Sequence, residues 1–199
     1  MFRSHAAALL LLLAASSSPA WSADRETAIF AGGCFWCVES DFDHVPGVLS
    51  TVSGYIGGTN ENPTYQNHPG HREAVRIEFD PAAVSYAQLL EIFFRSVDPT
   101  DGDGQFCDRG HSYTTGIYTI GADQAAQAEK AKADAQNELG RNVVTPIGAA
   151  PTFWPAEDYH QDYYRKNPLR YKYYRSACGR DARLEEVWGA AAHRGVKGS

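Results

Sequence analysis

The residues best suited to chemistry are Cys34 and Cys37, which follow two glycines in the stretch AGGCFWC. The apolar run Thr27–Ala31 predicts a strand, and residues 38–45 predict a helix that Pro46 ends. Cys34 is therefore expected at a strand-to-helix turn, where free N–H groups and the helix dipole stabilise a thiolate. We expect its pKa to fall toward or below neutrality, which makes Cys34 a candidate nucleophile. Cys37, one turn later, is either a disulfide partner or a bystander.

Other interpretations of the cysteines are weaker. Cysteines in an apolar run can be inert core residues. A structural zinc site would need a second close pair of ligands, and Cys107 and Cys178 stand alone in the sequence. We therefore predict no metal site.

Length and charge limit the classes of function. The chain has 199 residues, 43% of them hydrophobic, which suits one well-packed catalytic domain. Its formal net charge is -6 and it has no cluster of lysine or arginine, so a nucleic acid is not expected as a partner. The chain is expected to act as a monomer, although the sequence does not fix the oligomeric state.

The N-terminus has the pattern of a targeting segment. Arg3 precedes the apolar run 6–15, and small residues follow around Ala20-Trp21-Ser22. We interpret residues 1–22 as a signal peptide and residues 23–199 as the mature domain. The apolar run is too short to span a bilayer, so an exported protein of the periplasm or medium is expected, without a membrane span.

The order of predicted elements indicates an α+β fold. It reads β-α-β-β-α-β followed by a further helix and strand, the order of a two-layer ferredoxin-like (split βαβ) plait. We expect a coil-rich C-terminal extension, with one short helix around Arg183–Trp188. The predicted elements after the first helix are strands at Val48–Ile56, Glu73–Phe79, Thr114–Ile120 and Asn142–Ile147, and helices that begin at the caps Ser85 and Asp123.

Several polar side chains are candidates for proton transfer. Glu73 begins a strand, and a carboxyl held out of water near a thiol has a raised pKa and can donate a proton; a surface glutamate is the plainer alternative. Tyr65 and Tyr113 offer hydroxyl donors, although most tyrosines serve packing. Asp108 lies in the long loop 98–110 and either organises water or caps the loop.

A series of motifs resembles the A-type peptide methionine sulfoxide reductases. The match begins with the signature Gly33-Cys34-Phe35-Trp36 in its two-cysteine CFWC form. It continues in order over nearly the whole mature chain, through residues 54–58, 62–65, 70–75, 98–100, Gln105, Asp108, Gly110, Tyr113 and 156–161. Several motifs in sequence are far more specific than any one alone.

The resemblance implies an oxidoreductase that reduces the S epimer of methionine sulfoxide in proteins; acceptance of the free amino acid stays open. Cys34 would attack the sulfoxide sulfur and become a sulfenic acid, while Glu73 protonates the departing oxygen. Tyr65 and Tyr113 would hold that oxygen. The substrate methyl group would lie in an apolar pocket formed by Phe35 and Trp36. Asp108 would orient water or the substrate backbone.

The resemblance also implies a redox-active disulfide and no cofactor. Cys37 is the first choice for the thiol that resolves the sulfenic acid, Cys178 the second, with a possible relay role, and Cys107 the third. A thioredoxin-like dithiol would then reduce the disulfide. The expected role is protein repair under oxidative stress, with oxidised proteins or peptides as substrates.

Two alternatives remain open from the sequence. A Cys-x-x-Cys pair at a helix start is also the signature of an exported thioredoxin-like thiol-disulfide oxidoreductase, which leaves the rest of the chain unexplained. A binding module is the other, with structural cysteines and a peptide groove formed by the aromatic tail.

Overall fold

The computed structural model describes residues 25–197. The predicted signal peptide, residues 1–22, lies outside the described residues. Among residues 25–197, no helix combines the length and the apolar character that crossing a membrane requires.

A six-stranded sheet forms the centre of a mixed α/β structure. The spatial order of its strands is β7-β6-β1-β3-β2-β8, and all neighbours are antiparallel except β6 and β7. A separate two-stranded hairpin, β4–β5, lies within the long loop 98–110. The strands are β1 (Glu26–Gly32), β2 (Val48–Ile56), β3 (Arg72–Phe79), β4 (Gly104–Gln105), β5 (Asp108–Arg109), β6 (Thr115–Thr119), β7 (Ile147–Ala149) and β8 (Phe153–Pro155).

The helices follow the predicted signals closely in the first two thirds of the chain. Ser85 and Gln88 form the predicted capping box ahead of α2. Asp123, the predicted cap of α3, instead lies in its first turn, where its charge still favours the helix N-terminus. The helices are α1 (Phe35–Asp43), α2 (Tyr86–Arg95), α3 (Gly121–Leu139), α4 (Tyr163–Lys166), α5 (Pro168–Ala177) and α6 (Arg180–Trp188).

Successive side chains of β1 enter two different hydrophobic clusters, as the period of a strand requires. Phe30 belongs to the main cluster, where its ring lies 5.5 Å from that of Phe42 in α1 and 5.0 Å from that of Phe93 in α2. Ile29 belongs to a smaller cluster with Tyr118. Both faces of the central strand are therefore buried.

Four of the predicted strands are confirmed as β1, β2, β3 and β6, within one residue at each end. The prediction for Asn142–Ile147 was wrong, because β7 covers only Ile147–Ala149. Pro146 has no N–H to give to the ladder, and the amide of Val144 donates to the carbonyl of Pro99 instead. Pairing with β6 therefore begins only after the proline.

The prediction of a coil-rich C-terminal extension was also wrong. Residues 163–188 are mostly helical, in α4, α5 and α6, and the predicted short helix around Arg183–Trp188 is the end of α6. The buried residues of α6 are Arg180, Leu184 and Trp188, which follow each other at helical spacing. Arginine and tyrosine at buried positions concealed this period in the sequence.

A buried charge network attaches these helices to the rest of the fold. Asp41 of α1 is fully buried, and one of its carboxylate oxygens accepts a hydrogen bond from Arg175 of α5 at 2.8 Å. The Arg180 guanidinium lies 3.8 Å from the other oxygen. It also donates to the carbonyls of Gly32 and Ser96. A buried charge requires such partners, so the network holds the end of α5 and the start of α6 against α1.

Candidate active site

The turn between β1 and α1 places Cys34 at the N-cap of the helix. Gly33 has a φ of +85°, and a Cβ there would lie 2.6 Å from Cβ of Gln105. Only glycine meets both conditions without strain. The carbonyl of Cys34 accepts hydrogen bonds from the amides of Cys37 and Val38, so the predicted strand-to-helix turn is confirmed.

Cys34 opens into a small cleft of about 50 Å³. The cleft contains all seven residues to which the sequence assigned catalytic or substrate-binding roles, although they come from five separate segments of the chain. Its lining is Cys34, Phe35, Trp36, Tyr65, Glu73, Asp108, Tyr113 and Tyr174. Of these, Tyr174 was not predicted.

Glu73 lies almost completely buried, with 1% of its surface exposed. Its Oε2 accepts a hydrogen bond of 2.9 Å from the backbone N–H of Phe35, in the first turn of α1. Burial raises the pKa of Glu73 to about 8, against the opposing effect of that hydrogen bond. At neutral pH the carboxyl is therefore mainly protonated and can give a proton to a group in the cleft.

The two cysteines of the signature form a buried, hydrogen-bonded pair of free thiols. Burial raises the pKa of Cys34 well above its usual value, with smaller contributions from Cys37 and Glu73. The expected lowering at the helix start is therefore not found. The hydrogen bond with Cys34 lowers the pKa of Cys37 instead, and the positive charges of Arg180 and Arg175 act in the same direction.

Tyr65 and Tyr113 both line the cleft, and each side chain influences the pKa of the other. Burial raises the pKa of each, so both hydroxyls stay protonated and remain donors. The position of Tyr65 is held by Glu157, which accepts a hydrogen bond from the Tyr65 backbone N–H at 2.9 Å. The same carboxylate accepts from the hydroxyl of Tyr55 at 3.0 Å.

Asp108 meets an unpredicted partner, Tyr174 of α5. The Tyr174 hydroxyl donates to Oδ2 of Asp108, and Tyr174 lines the cleft together with Cys34. Burial raises the pKa of Asp108. Tyr174 therefore contacts the Asp108 carboxyl within the cleft that holds the nucleophile. Nothing in the sequence marks it among the neighbouring tyrosines.

The indole ring of Trp36 is fixed by two further residues to which the sequence assigned no role. Its Nε1–H donates to Nδ1 of His160 at 3.0 Å, and its ring stacks on Tyr163 with centroids 3.7 Å apart. Burial lowers the pKa of His160, which keeps the ring neutral and able to accept this hydrogen bond. In the sequence, the place of His160 in the motif 156–161 was the signal that could have identified it as part of the site.

Cys107 and Cys178, isolated in the sequence, are joined by a disulfide across 71 positions. It connects the β4–β5 turn to the C-terminal end of α5. Sγ of each cysteine lies within 4.0 Å of a carboxylate oxygen of Asp108. The three side chains are close enough to share a metal ion, but the disulfide occupies both sulfur donors.

The arrangement suits a particular kind of reaction. It combines a nucleophilic sulfur, a protonated carboxyl, two hydroxyl donors and a wall of aromatic rings. Such a site can hold a small neutral group with a polar oxygen, protonate that oxygen and attack the atom that carries it.

Comparisons with known proteins agree with this chemistry. The family model for peptide methionine sulfoxide reductase matches residues 26–192. Peptide methionine sulfoxide reductase MsrA 2 of Rhizobium meliloti is 59% identical over 89% of this chain and 91% of its own length. The protein of the same name from Caulobacter vibrioides is 50% identical over 87% and 91%. The structure of methionine sulfoxide reductase A of Corynebacterium diphtheriae has 33% identity and a TM-score of 0.67, over 73% of this chain and 76% of that one. The chain therefore belongs to the peptide methionine sulfoxide reductase family.

Proposed function

We propose that this protein reduces methionine S-sulfoxide in oxidised proteins and peptides, using Cys34 as the nucleophile. The observation that carries the proposal is that the Cys34 thiol and the buried, protonated Glu73 line one cleft with two tyrosine hydroxyls. A thioredoxin-like oxidoreductase needs the two cysteines alone. It gives no role to Glu73, Tyr65 or Tyr113, and family membership decides against it.

In the proposed first step the sulfoxide oxygen lies toward Glu73 and the tyrosine hydroxyls, with the methyl group against Phe35 and Trp36. Glu73 gives its proton to the oxygen while the Cys34 sulfur attacks the substrate sulfur, and the thiol proton restores Glu73. The S–O bond of the substrate breaks. The oxygen released, as hydroxide or water, attacks the Cys34 sulfur, and the bond between the two sulfurs breaks with methionine as the leaving group. Cys34 is left as a sulfenic acid. The substrate sulfur gains two electrons and Cys34 loses two.

In the second step the Cys37 thiol attacks the sulfenic sulfur, a Cys34–Cys37 disulfide forms and water leaves. Cys37 is favoured because it is a free thiol, hydrogen-bonded to Cys34, with a lowered pKa. Cys178 and Cys107 already share a disulfide, so neither has a thiol to offer in this state. An external dithiol of the thioredoxin kind then reduces the new disulfide.

We infer that the core is a two-layer ferredoxin-like plait within a single catalytic domain, residues 23–199. The elements β1-α1-β2-β3-α2-β6 follow one another in the order of that fold. The spatial order β6-β1-β3-β2, antiparallel throughout, supports the same assignment. β7 and β8 extend the sheet at its two edges.

We also propose that the protein is exported and repairs oxidised proteins of the cell envelope or medium. The support is the targeting pattern of residues 1–22. A disulfide between Cys107 and Cys178 also fits an oxidising compartment. Fractionation of the source cells is expected to recover the mature protein in the periplasm or medium, and recovery of it in the cytosol would contradict export.

The reaction is tested with the separate S and R epimers of a blocked methionine sulfoxide and excess dithiothreitol. We expect the mature protein to reduce the S epimer alone. Cys34→Ser should abolish turnover, because serine supplies no sulfur nucleophile. Product is measured by chromatography. Turnover of neither epimer, or full activity of Cys34→Ser, would overturn the proposed reaction.

Glu73→Gln separates catalysis from stability. Glutamine keeps the acceptor for the Phe35 N–H but has no proton to give, so kcat should fall at least about 100-fold. The wild type should lose activity as pH rises through about 8, and this loss should vanish in the variant. The unfolded chain ionises Glu73 at a lower pH than the native protein, so native stability falls between about pH 4.5 and 8.

Removal of the carboxyl should therefore raise the free energy of unfolding at pH 7, by about 3 kcal/mol. Chemical denaturation at several pH values measures this change. Glu78→Gln, on the opposite face of β3, is the matched control and should change neither property. A Glu73→Gln variant that is both active and no more stable would remove Glu73 from the role of proton donor.

Cys37→Ser tests the resolving thiol. With a thioredoxin, its reductase and NADPH, the variant should reduce about one equivalent of sulfoxide per protein and then stop, because no disulfide forms for the donor to attack. The double variant Cys107→Ser, Cys178→Ser is the control and should continue to consume NADPH. The reverse pattern would assign resolution to the second pair of cysteines.

A further inference from the structure

A second and larger cavity adjoins the cleft, with a volume of about 760 Å³. We call it the aromatic groove. The residues that matter here are Trp36, Tyr65, Tyr159, Arg170, Tyr173 and Tyr174. Trp36, Tyr65 and Tyr174 also line the cleft, so the two cavities are continuous around these side chains. The cleft has room for little more than the sulfoxide group, so the rest of a peptide substrate must lie outside it.

The groove concentrates the exposed aromatic surface of the molecule. Among residues 25–197, the large hydrophobic side chains that are exposed include three aromatic ones, and all three line the groove. Tyr65 is 39% exposed, Tyr159 53% and Tyr173 77%. Tyrosine offers wide apolar contact at low entropic cost, so such a surface favours aromatic or large aliphatic partners.

The groove also carries a positive charge. Arg170 is its one formally charged lining residue, and no carboxylate within the described part of the chain lies within ion-pair distance of its guanidinium. Burial lowers the pKa of His160, the other basic lining residue, and keeps it neutral. The chain as a whole carries a net charge of -6, so Arg170 is a local exception on its surface. An unpaired guanidinium in the groove favours an acidic group on the substrate.

Helix geometry sets the axial spacing between Arg170 and Tyr174, the residue of α5 that lines the cleft with Cys34. Arg170 and Tyr174 are four residues apart in α5, which corresponds to about 6 Å along the helix axis. An extended peptide advances about 3.3 Å per residue, so 6 Å corresponds to about two residues.

We propose that the aromatic groove binds the polypeptide that flanks the oxidised methionine, in an extended conformation. It favours an aromatic or large aliphatic neighbour beside the sulfoxide and an acidic side chain about two residues away, paired with Arg170. The preferred substrates are therefore unfolded or loop segments with apolar and acidic residues around the methionine. This inference rests on the proposed reductase activity and adds to it a preference for particular sequences.

The test uses blocked five-residue peptides with a central methionine S-sulfoxide and dithiothreitol as reductant. One series places Glu, Gln or Lys two residues before or after the methionine, and a second compares Phe with Gly beside it. We expect kcat/KM for the better Glu peptide to exceed that for its Lys counterpart about threefold, as for an exposed ion pair. The difference should shrink at 1 M salt, where charges are screened within about 3 Å.

Two variants of α5, each with a matched control, assign the effects. Arg170→Glu should reverse the preference between Glu and Lys, whereas Lys172→Glu, which makes the same charge change outside the groove lining, should retain it. Tyr173→Ala should remove most of an expected advantage of about fivefold for Phe over Gly. Leu169→Ala removes a side chain that is 84% exposed on the same helix, outside the groove. This variant should retain the advantage of Phe over Gly.

The outcomes separate this inference from the proposed reaction. A wild type that reduces blocked methionine S-sulfoxide but all peptides equally well would overturn the groove and leave the reaction intact. A charge preference that survives Arg170→Glu, or that Lys172→Glu changes to the same extent, would also overturn it. Failure of the wild type on the blocked amino acid as well would contradict the reaction itself.

Discussion

The hydrogen bond from the Phe35 N–H to Glu73 is the contact on which the site depends, because it joins the start of α1 to the start of β3. β1 and β3 pair with Phe30 opposite Val75, and the same register continued along β1 brings Gly32 opposite Glu73. A slip of one residue would turn Glu73 to the other face of the sheet. The register of two central strands therefore decides whether the acid meets the nucleophile.

Burial explains both the reactivity of the site and the loss of protein stability at neutral pH that comes with it. Glu73 extends the row Val75, Ile77 and Phe79, which belongs to the main hydrophobic cluster, so a carboxyl occupies what is otherwise a core position. It stays protonated because the charged form would lose its hydration. Cys34, also buried, stays a thiol for the same reason. Neither Cys34 nor Glu73 is mainly charged at neutral pH, so the proposed reaction starts from a neutral nucleophile and a neutral acid.

The sequence was a good guide where a side-chain period was present, and a poor one where contacts between distant segments decide. The alternation of Val75, Ile77 and Phe79 predicted β3 within a residue of its ends, and the structure shows that Glu73 begins the same buried row. The helices α5 and α6 escaped prediction because their buried positions hold Arg175, Arg180 and tyrosines. The arginines become core-compatible through partners that are distant in the sequence. Asp41, which accepts from Arg175, lies 134 positions before it, and the carbonyls of Gly32 and Ser96 accept from Arg180. Tyr174 lines the cleft because the neighbouring Arg175 holds α5 against Asp41.

α5 also shows why the second pair of cysteines belongs with the active site. The helix has only ten residues, too few to be stable alone in water. Arg175 anchors it to Asp41, and Cys178, just past its end, is tied to Cys107 beside Asp108. A disulfide across 71 positions restricts the unfolded chain by roughly 4 kcal/mol in the chain-entropy model.

Because Tyr174 directly precedes Arg175 and lies four residues before Cys178, these anchors hold its hydroxyl beside Asp108 in the cleft. The same anchors hold Arg170 and Tyr173 along the groove, since all three residues lie in one helix. Opening of the Cys107–Cys178 bond would therefore loosen one side of the cleft and one side of the groove together. The disulfide between two cysteines that stand alone in the sequence thus bears on the cleft through the position of α5.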